Sequence, residues 1–291
     1  TRMDNYRTII GITCTLTAVV LGLVSGILVK KVGTDVTVIT TLFYRFLFSV
    51  PLLLIFAIIA RKSQFLKIEQ KKTLLLRIIF GLSGISFWFL AIRSMPLGQA
   101  TTLFQSSVIF VTLLSPFLLN EKVGWFRWAA VLTGLIGIII VTDPFSSAMS
   151  IAVIYGILAA SSGAILAILL RRLGRRDKPT SIALWYNFSG TIVIAVIIII
   201  MPKQLSSIGG QTLIDLILLG AVASVLQIFF TTAYKYLDAV VVSSMRYIQI
   251  PLSGFAGYLL FSESMSLNQI LGAIIIICSC LVIAWREFVK S

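Results

Sequence analysis

Three arginines interrupt the apolar runs of this chain. Arg45, Arg77 and Arg246 each lie inside a long hydrophobic stretch, and no acidic residue lies near the middle of any such stretch. A guanidinium stays charged at any physiological pH, and its planar fork suits carboxylate and phosphate. Inside a membrane an unpaired charge is expensive and normally faces a cavity or a partner. At 1.5 Å per residue, Arg45 lies about 13 Å into its run and Arg246 about 10 Å. Trp88, Phe104, Gln105, Gln227, Tyr247 and Gln249, on nearby runs, are candidates for stacking or hydrogen bonding. Together these eight residues other than Arg77 form the expected substrate site. Such an electropositive cavity calls for a solute with at least one anionic group, such as an amino or organic acid. Aromatic faces suit a planar or cationic portion, and an adenosylated amino acid would use both features. The competing reading of the aromatics is packing and interfacial anchoring, which fits Trp125 and Trp285 best.

Other chemistries are poorly served. The chain has no histidine, which removes the commonest general base, and no metal site or cofactor is expected. Cys14, Cys278 and Cys280 lie in apolar runs without disulfide or zinc spacing. No catalytic triad, Walker loop or dinucleotide-binding glycine pattern can be assembled, so an enzyme is not expected. The absence of an intramembrane carboxylate argues against a proton relay through Asp or Glu, and favours uniport or exchange over proton-driven antiport.

The elements that must position these residues are membrane spans. Hydrophobic residues make up 58% of the chain and charged residues 12%, against about a quarter charged in soluble proteins. Ten runs are long enough to cross the bilayer: 8–30, 37–60, 73–93, 98–119, 124–142, 150–171, 180–201, 212–234, 239–261 and 266–285. The first run lacks the pattern of a cleavable signal peptide. With the N-terminus inside, seventeen of the 24 basic residues fall on the cytoplasmic side, four on the other and three within spans. That asymmetry places both termini in the cytoplasm. It also explains the net charge of +14 without nucleic acid. Basic stretches such as Arg171–Lys178 set topology and touch anionic lipid headgroups.

The second half repeats the first at an offset of 142 residues. Ala91, Arg93, Thr102, Leu118 and Glu121 align with Ala233, Lys235, Ser244, Leu260 and Glu263. Upstream, Leu42-Phe43-Tyr44-Arg45-Phe46 aligns with Leu184-Trp185-Tyr186-Asn187-Phe188. Five spans per repeat invert the second copy, giving an all-α membrane protein of two inverted five-helix repeats, residues 1–145 and 146–291. Inverted repeats can open one central site to either side in turn. A channel is the competing reading, but no charged ring or filter loop is present. One chain already holds both bundles, which suits a monomer or a homodimer. Small residues at Gly11/Thr15, Gly22/Gly26, Gly134/Gly137 and Gly254/Gly257 mark close helix approach. Pro51, Pro116 and Pro251 lie inside spans and are candidate kinks.

Several segments together resemble the EamA branch of the drug/metabolite transporter superfamily. They are Tyr44-Arg45-Phe46, the run from Arg77 to Gly81, the run from Ala91 to Thr102, and Asn120-Glu121-Lys122 followed by Trp128, Gly134 and Gly137. The more divergent second repeat has Glu263 and Gly272, with Ser279 in place of Gly137. The resemblance implies ten helices, a central cavity lined largely by spans 1, 3, 4, 6, 8 and 9, and transport of small organic metabolites. It implies a multi-pass protein of a bacterial cytoplasmic membrane. Because span 9 is expected to line the cavity, Arg246 is read as a substrate contact. Arg45 stands between substrate contact and a structural role among helices. Arg77, near the cytoplasmic end of span 3, is read as structural, snorkelling to headgroups. The alternative function is a broad-specificity exporter of amphipathic drugs or organic cations.

Overall fold

The computed structural model describes residues 2–142, 151–264 and 266–290. The expected boundary between repeats, at 145/146, lies outside the described residues. These residues form helices and connecting turns, with no strand among them. The α-helices are α1 (Arg2–Val32), α2 (Val38–Arg61), α3 (Lys71–Ser94), α4 (Leu97–Gln105), α5 (Ser107–Leu118) and α6 (Trp125–Thr142). The second half holds α7 (Ile151–Gly174), α8 (Pro179–Ile200), α9 (Gly210–Tyr236), α10 (Ala239–Met245), α11 (Gln249–Phe261) and α12 (Leu267–Lys290). Six of them, α1, α2, α3, α7, α8 and α9, are long and apolar enough to cross a membrane, and α6 and α12 carry shorter apolar stretches. Large side chains such as Ile59, Phe117, Ile199 and Leu281 face outward. An apolar outer surface of this extent fits lipid rather than water.

The fourth and ninth expected spans differ in number and form from single helices. The fourth is α4 and α5 joined at Ser106, and the ninth is α10 and α11 joined by a 3-10 turn at Arg246–Ile248. Ser106 N–H bonds to the carbonyls of both Thr102 and Leu103, and its hydroxyl donates to Leu103 at 2.6 Å. That sharing tightens the helix from i−4 towards i−3 bonding. In the fourth span proline is not the cause, since Pro116 lies in the last turn of α5, well past Ser106, and Pro51 sits inside an unbroken α2. In the ninth span Pro251 contributes, because it has no N–H to give the Tyr247 carbonyl four residues back, which lies in the 3-10 turn.

The ninth span breaks where the fourth does once the 142-residue offset is applied, since Ser106 maps onto Ile248. Helix pairing follows the same exchange. Four main pairings obey it: α1 with α9, α3 with α7, α2 with α8, and α6 with α12; the packing of α2 on α9 is the exception, since its counterpart, α8 on α3, is much slighter. Exchanging the halves turns α1–α9 into α7–α3 and returns the other two onto themselves. The crossing of α4 with α11 likewise becomes that of α10 with α5. At the α4–α11 crossing a Cβ on Gly98 would lie 3.0 Å from Gly254 Cα, so the two backbones nearly touch.

Candidate binding cavity

Breaks in α4–α5 and α10–α11 leave side chains of both halves around one internal space. Its volume is about 800 Å³, open space at its mouth included. The wall draws on α1, α3, α4, α7, α9, the Arg246 turn and α11, with Arg45 reaching in from α2 and Tyr186 from α8. Six of the eight expected site residues line it: Arg45, Trp88, Phe104, Gln227, Arg246 and Gln249.

Gln105 and Tyr247 do not. Gln105 is buried behind Gln249, to which its amide donates at 3.5 Å. Tyr247 is also buried, and its ring fills the space over Gly134 of α6, where a Cβ would collide with it. Consecutive helical residues point about 100° apart. If Phe104 and Arg246 face the cavity, their neighbours Gln105 and Tyr247 therefore face the protein.

Each arginine is held differently. Arg45 Nη1 donates to Asn187 Oδ1 at 2.6 Å, and its guanidinium lies 4.4 Å from the Phe46 ring. Asn187 is itself fixed, accepting from Ser49 Oγ at 2.9 Å and donating Nδ2 to the Ala183 carbonyl at 2.8 Å. Arg77 corrects the headgroup expectation: it is fully buried in the cavity wall, beyond reach of headgroups. Its Nη2 donates to Gln227 Oε1 at 2.9 Å, and its guanidinium stacks 3.6 Å from the Tyr186 ring centroid. The pull of Gln227 and Tyr186 outweighs snorkelling. Arg246 lies between two rings, 5.5 Å from Phe104 and 4.7 Å from Phe230. Trp88 meets Phe104 at 4.9 Å, completing an aromatic wall. Among the described residues no carboxylate lines the cavity, and no cluster of His, Cys, Asp or Glu could hold a metal.

Phe230 did not figure in the sequence reading, although a signal for it exists. The repeat offset maps Trp88 onto Phe230, Phe104 onto Arg246 and Ile85 onto Gln227, and all six line the cavity. Trp185 stays outside the wall, donating Nε1 to the Leu66 carbonyl at 2.9 Å.

Two glutamates, also related by the offset, each join a basic side chain to the start of a broken span. Glu121 Oε1 accepts from Arg171 Nε at 2.8 Å, while Oε2 accepts the Ala239 N–H at the start of α10 at 3.1 Å. Asp238 joins this cluster through Arg171 and through Arg127, at 3.1 and 2.9 Å. Glu263 is ion-paired with Lys30 and accepts the Leu97 N–H at the start of α4 at 3.2 Å. Leu97 and Ala239 correspond at the same offset, so each half's glutamate caps the other half's broken span. Burial and the neighbouring Asp238 push the Glu121 carboxyl above its ordinary value, while Arg171 and the Ala239 amide oppose that shift. Asp215 pairs with Lys31 at 3.1 Å and stays outside the cavity wall.

A multi-pass helical protein with a central, side-chain-lined cavity has the architecture of a membrane transporter. The EamA-like transporter family matches residues 9–143 and again residues 150–285, and this chain belongs to that family. An S-adenosylmethionine uptake transporter of Rickettsia felis is 29% identical, covering 95% of this chain and 93% of that protein. A riboflavin transporter of Vibrio cholerae is 31% identical over 78% of this chain and 76% of its own length. A pseudopaline exporter of Pseudomonas aeruginosa is 26% identical over 90% and 91% respectively. A solved crystal structure shares the fold with a TM-score of 0.72 at 18% identity, covering 97% of this chain and 98% of that one. The chain is thus a small-metabolite transporter.

Proposed function

We propose that this protein is a secondary transporter of an anionic or zwitterionic metabolite, amino-acid-like or an adenosylated amino acid, working by alternating access in a bacterial cytoplasmic membrane. The observation that carries the reading is the charge of the cavity wall. Arg45, Arg77 and Arg246 line it and no carboxylate of the described residues does, so the missing counter-charge falls to the solute. The aromatic wall of Trp88, Phe104 and Phe230 suits a planar portion of the same solute. An S-adenosylmethionine transporter among the relatives fits in part, since that molecule offers a carboxylate to the arginines and a planar base and sulfonium to the aromatic faces.

In this reading all ten segments span the bilayer as inverted five-helix repeats, residues 1–145 and 146–291, with both termini inside. The Glu121 and Glu263 clusters then close the cytoplasmic and outer ends, and transport releases them in turn. A substrate that pairs with the arginines makes uniport or exchange sufficient. The second reading is an exporter of amphipathic drugs or organic cations, favoured by the aromatic wall and disfavoured by the arginines. A thermal-shift screen of purified protein separates the two. Stabilisation by amino acids, organic acids or adenosylated metabolites is expected, and stabilisation by organic cations alone overturns the first reading.

A further inference from the structure

Among the three cavity arginines, Arg77 alone combines complete burial with two guanidinium nitrogens that lack a hydrogen-bond acceptor, the Tyr186 ring covering its face. It is 0% exposed and lines the cavity. Its Nη2 donates to Gln227, while Nε and Nη1 have no hydrogen-bond partner. Nε carries one N–H and Nη1 two, so most of the five donors of the guanidinium are unspent. A buried donor left without an acceptor costs about 1–3 kcal/mol, and more when charged. Such a group calls for an acceptor that the folded chain alone does not supply.

We infer that Arg77 is the anchor for a carboxylate of the transported solute. The inference rests on the transport reading above and names the chemistry recognised in that same cavity. The fork is built into place. Gln227 holds one end and the Tyr186 ring backs its face at 3.6 Å. Gly81, one turn along α3, leaves the room it needs: a Cβ there would overlap Nη1 and lie 2.7 Å from Tyr186. The other two arginines are engaged differently. Arg45 is tied to Asn187, and Arg246 lies between Phe104 and Phe230. A carboxylate matches Arg77 because its two coplanar oxygens meet in-plane N–H donors edge to edge. A neutral amide offers one weaker acceptor and brings N–H groups of its own.

The test compares acids with their uncharged counterparts on the full-length protein in detergent or nanodiscs. The probes are S-adenosylmethionine beside its decarboxylated form, methionine beside methioninamide, and benzoate beside benzamide, with phenyl phosphate as the phosphoester arm. At least one acid is expected to bind about 10- to 100-fold more tightly than its partner, as one or two charge-assisted hydrogen bonds allow. Arg77→Gln removes that preference by weakening the acid alone, and Arg77→Lys restores part of it. The lysine variant carries the test if the glutamine variant does not fold. Equal weakening of acid and partner, no acid preference in any pair, or preference for phenyl phosphate alone overturns the assignment. Uptake by proteoliposomes separates this outcome from the transport reading. Flux without acid preference sinks only the anchor, and acid preference without flux of any probe sinks only transport.

Discussion

Arg45 and Asn187 occupy the same position in the two repeats, 142 residues apart, and they bond to each other: Nη1 of one reaches Oδ1 of the other at 2.6 Å. A duplication whose halves pack symmetrically brings equivalent positions face to face where its axis passes. Identical residues there would put two guanidinium groups together. Divergence to Arg and Asn makes the contact a charge–dipole hydrogen bond instead.

Asn187→Ala should therefore destabilise the protein by about 1.5–3 kcal/mol, because a buried guanidinium loses its acceptor. Asn187→Asp should keep the fold and weaken anion binding, because the new carboxylate cancels one of the three positive charges around the cavity. Thermal denaturation and acid-binding titrations of both variants check this pair of outcomes.

Tyr247→Phe should leave ligand binding unchanged and raise thermal stability slightly. Its hydroxyl is buried with no hydrogen-bond partner, and its ring packs on Gly134 rather than on the cavity. Removing an unsatisfied polar group recovers its desolvation cost, about 1–3 kcal/mol at most. Loss of binding would return Tyr247 to the site.

Gly98→Val should lower stability by about 1–3 kcal/mol through overpacking. The added carbons meet the Gly254 backbone, which cannot move aside as a side chain would. Unchanged melting would show that α4 and α11 separate easily.

Glu121→Gln and Glu263→Gln should each bias the cavity open at the end the glutamate caps. Losing about 1 kcal/mol of differential stabilisation shifts a two-state population about 5-fold. Labelling of Ser25→Cys by an impermeant maleimide, in a chain with the three native cysteines replaced, measures it from each face. Glu121→Gln is expected to accelerate labelling from the cytoplasmic face, and Glu263→Gln from the outer face. The same response from both faces in both variants would contradict independent closures.

Much of the helical layout is legible in hydropathy alone, because a long apolar run admits few structures other than a helix. The predicted segments end within a few residues of the helices found, as with 239–261 against α10 to α11. The breaks inside the fourth and ninth segments are not legible that way. Proline draws attention to Pro116, while the distortion arises at Ser106, from a shared N–H and a side-chain hydroxyl. Position along a span misled for Arg77, since depth counted in residues ignores which neighbours wait across the helix. Gln227, 150 residues away, and the Tyr186 ring decide its direction. Facing errors explain Gln105 and Tyr247, each adjacent to a residue that does line the cavity. Extending the repeat alignment through Trp88 would have found Phe230.

The most direct measurement is saturable uptake of a carboxylate-bearing solute into proteoliposomes, with Arg45→Ala and Arg246→Ala beside the unmodified chain. The account predicts saturation in the unmodified protein. It predicts a loss of about 10-fold or more in each variant, equivalent to ~1.4 kcal/mol, with membrane insertion preserved. Normal saturation kinetics in both variants, or saturable uptake of organic cations alone, would contradict it.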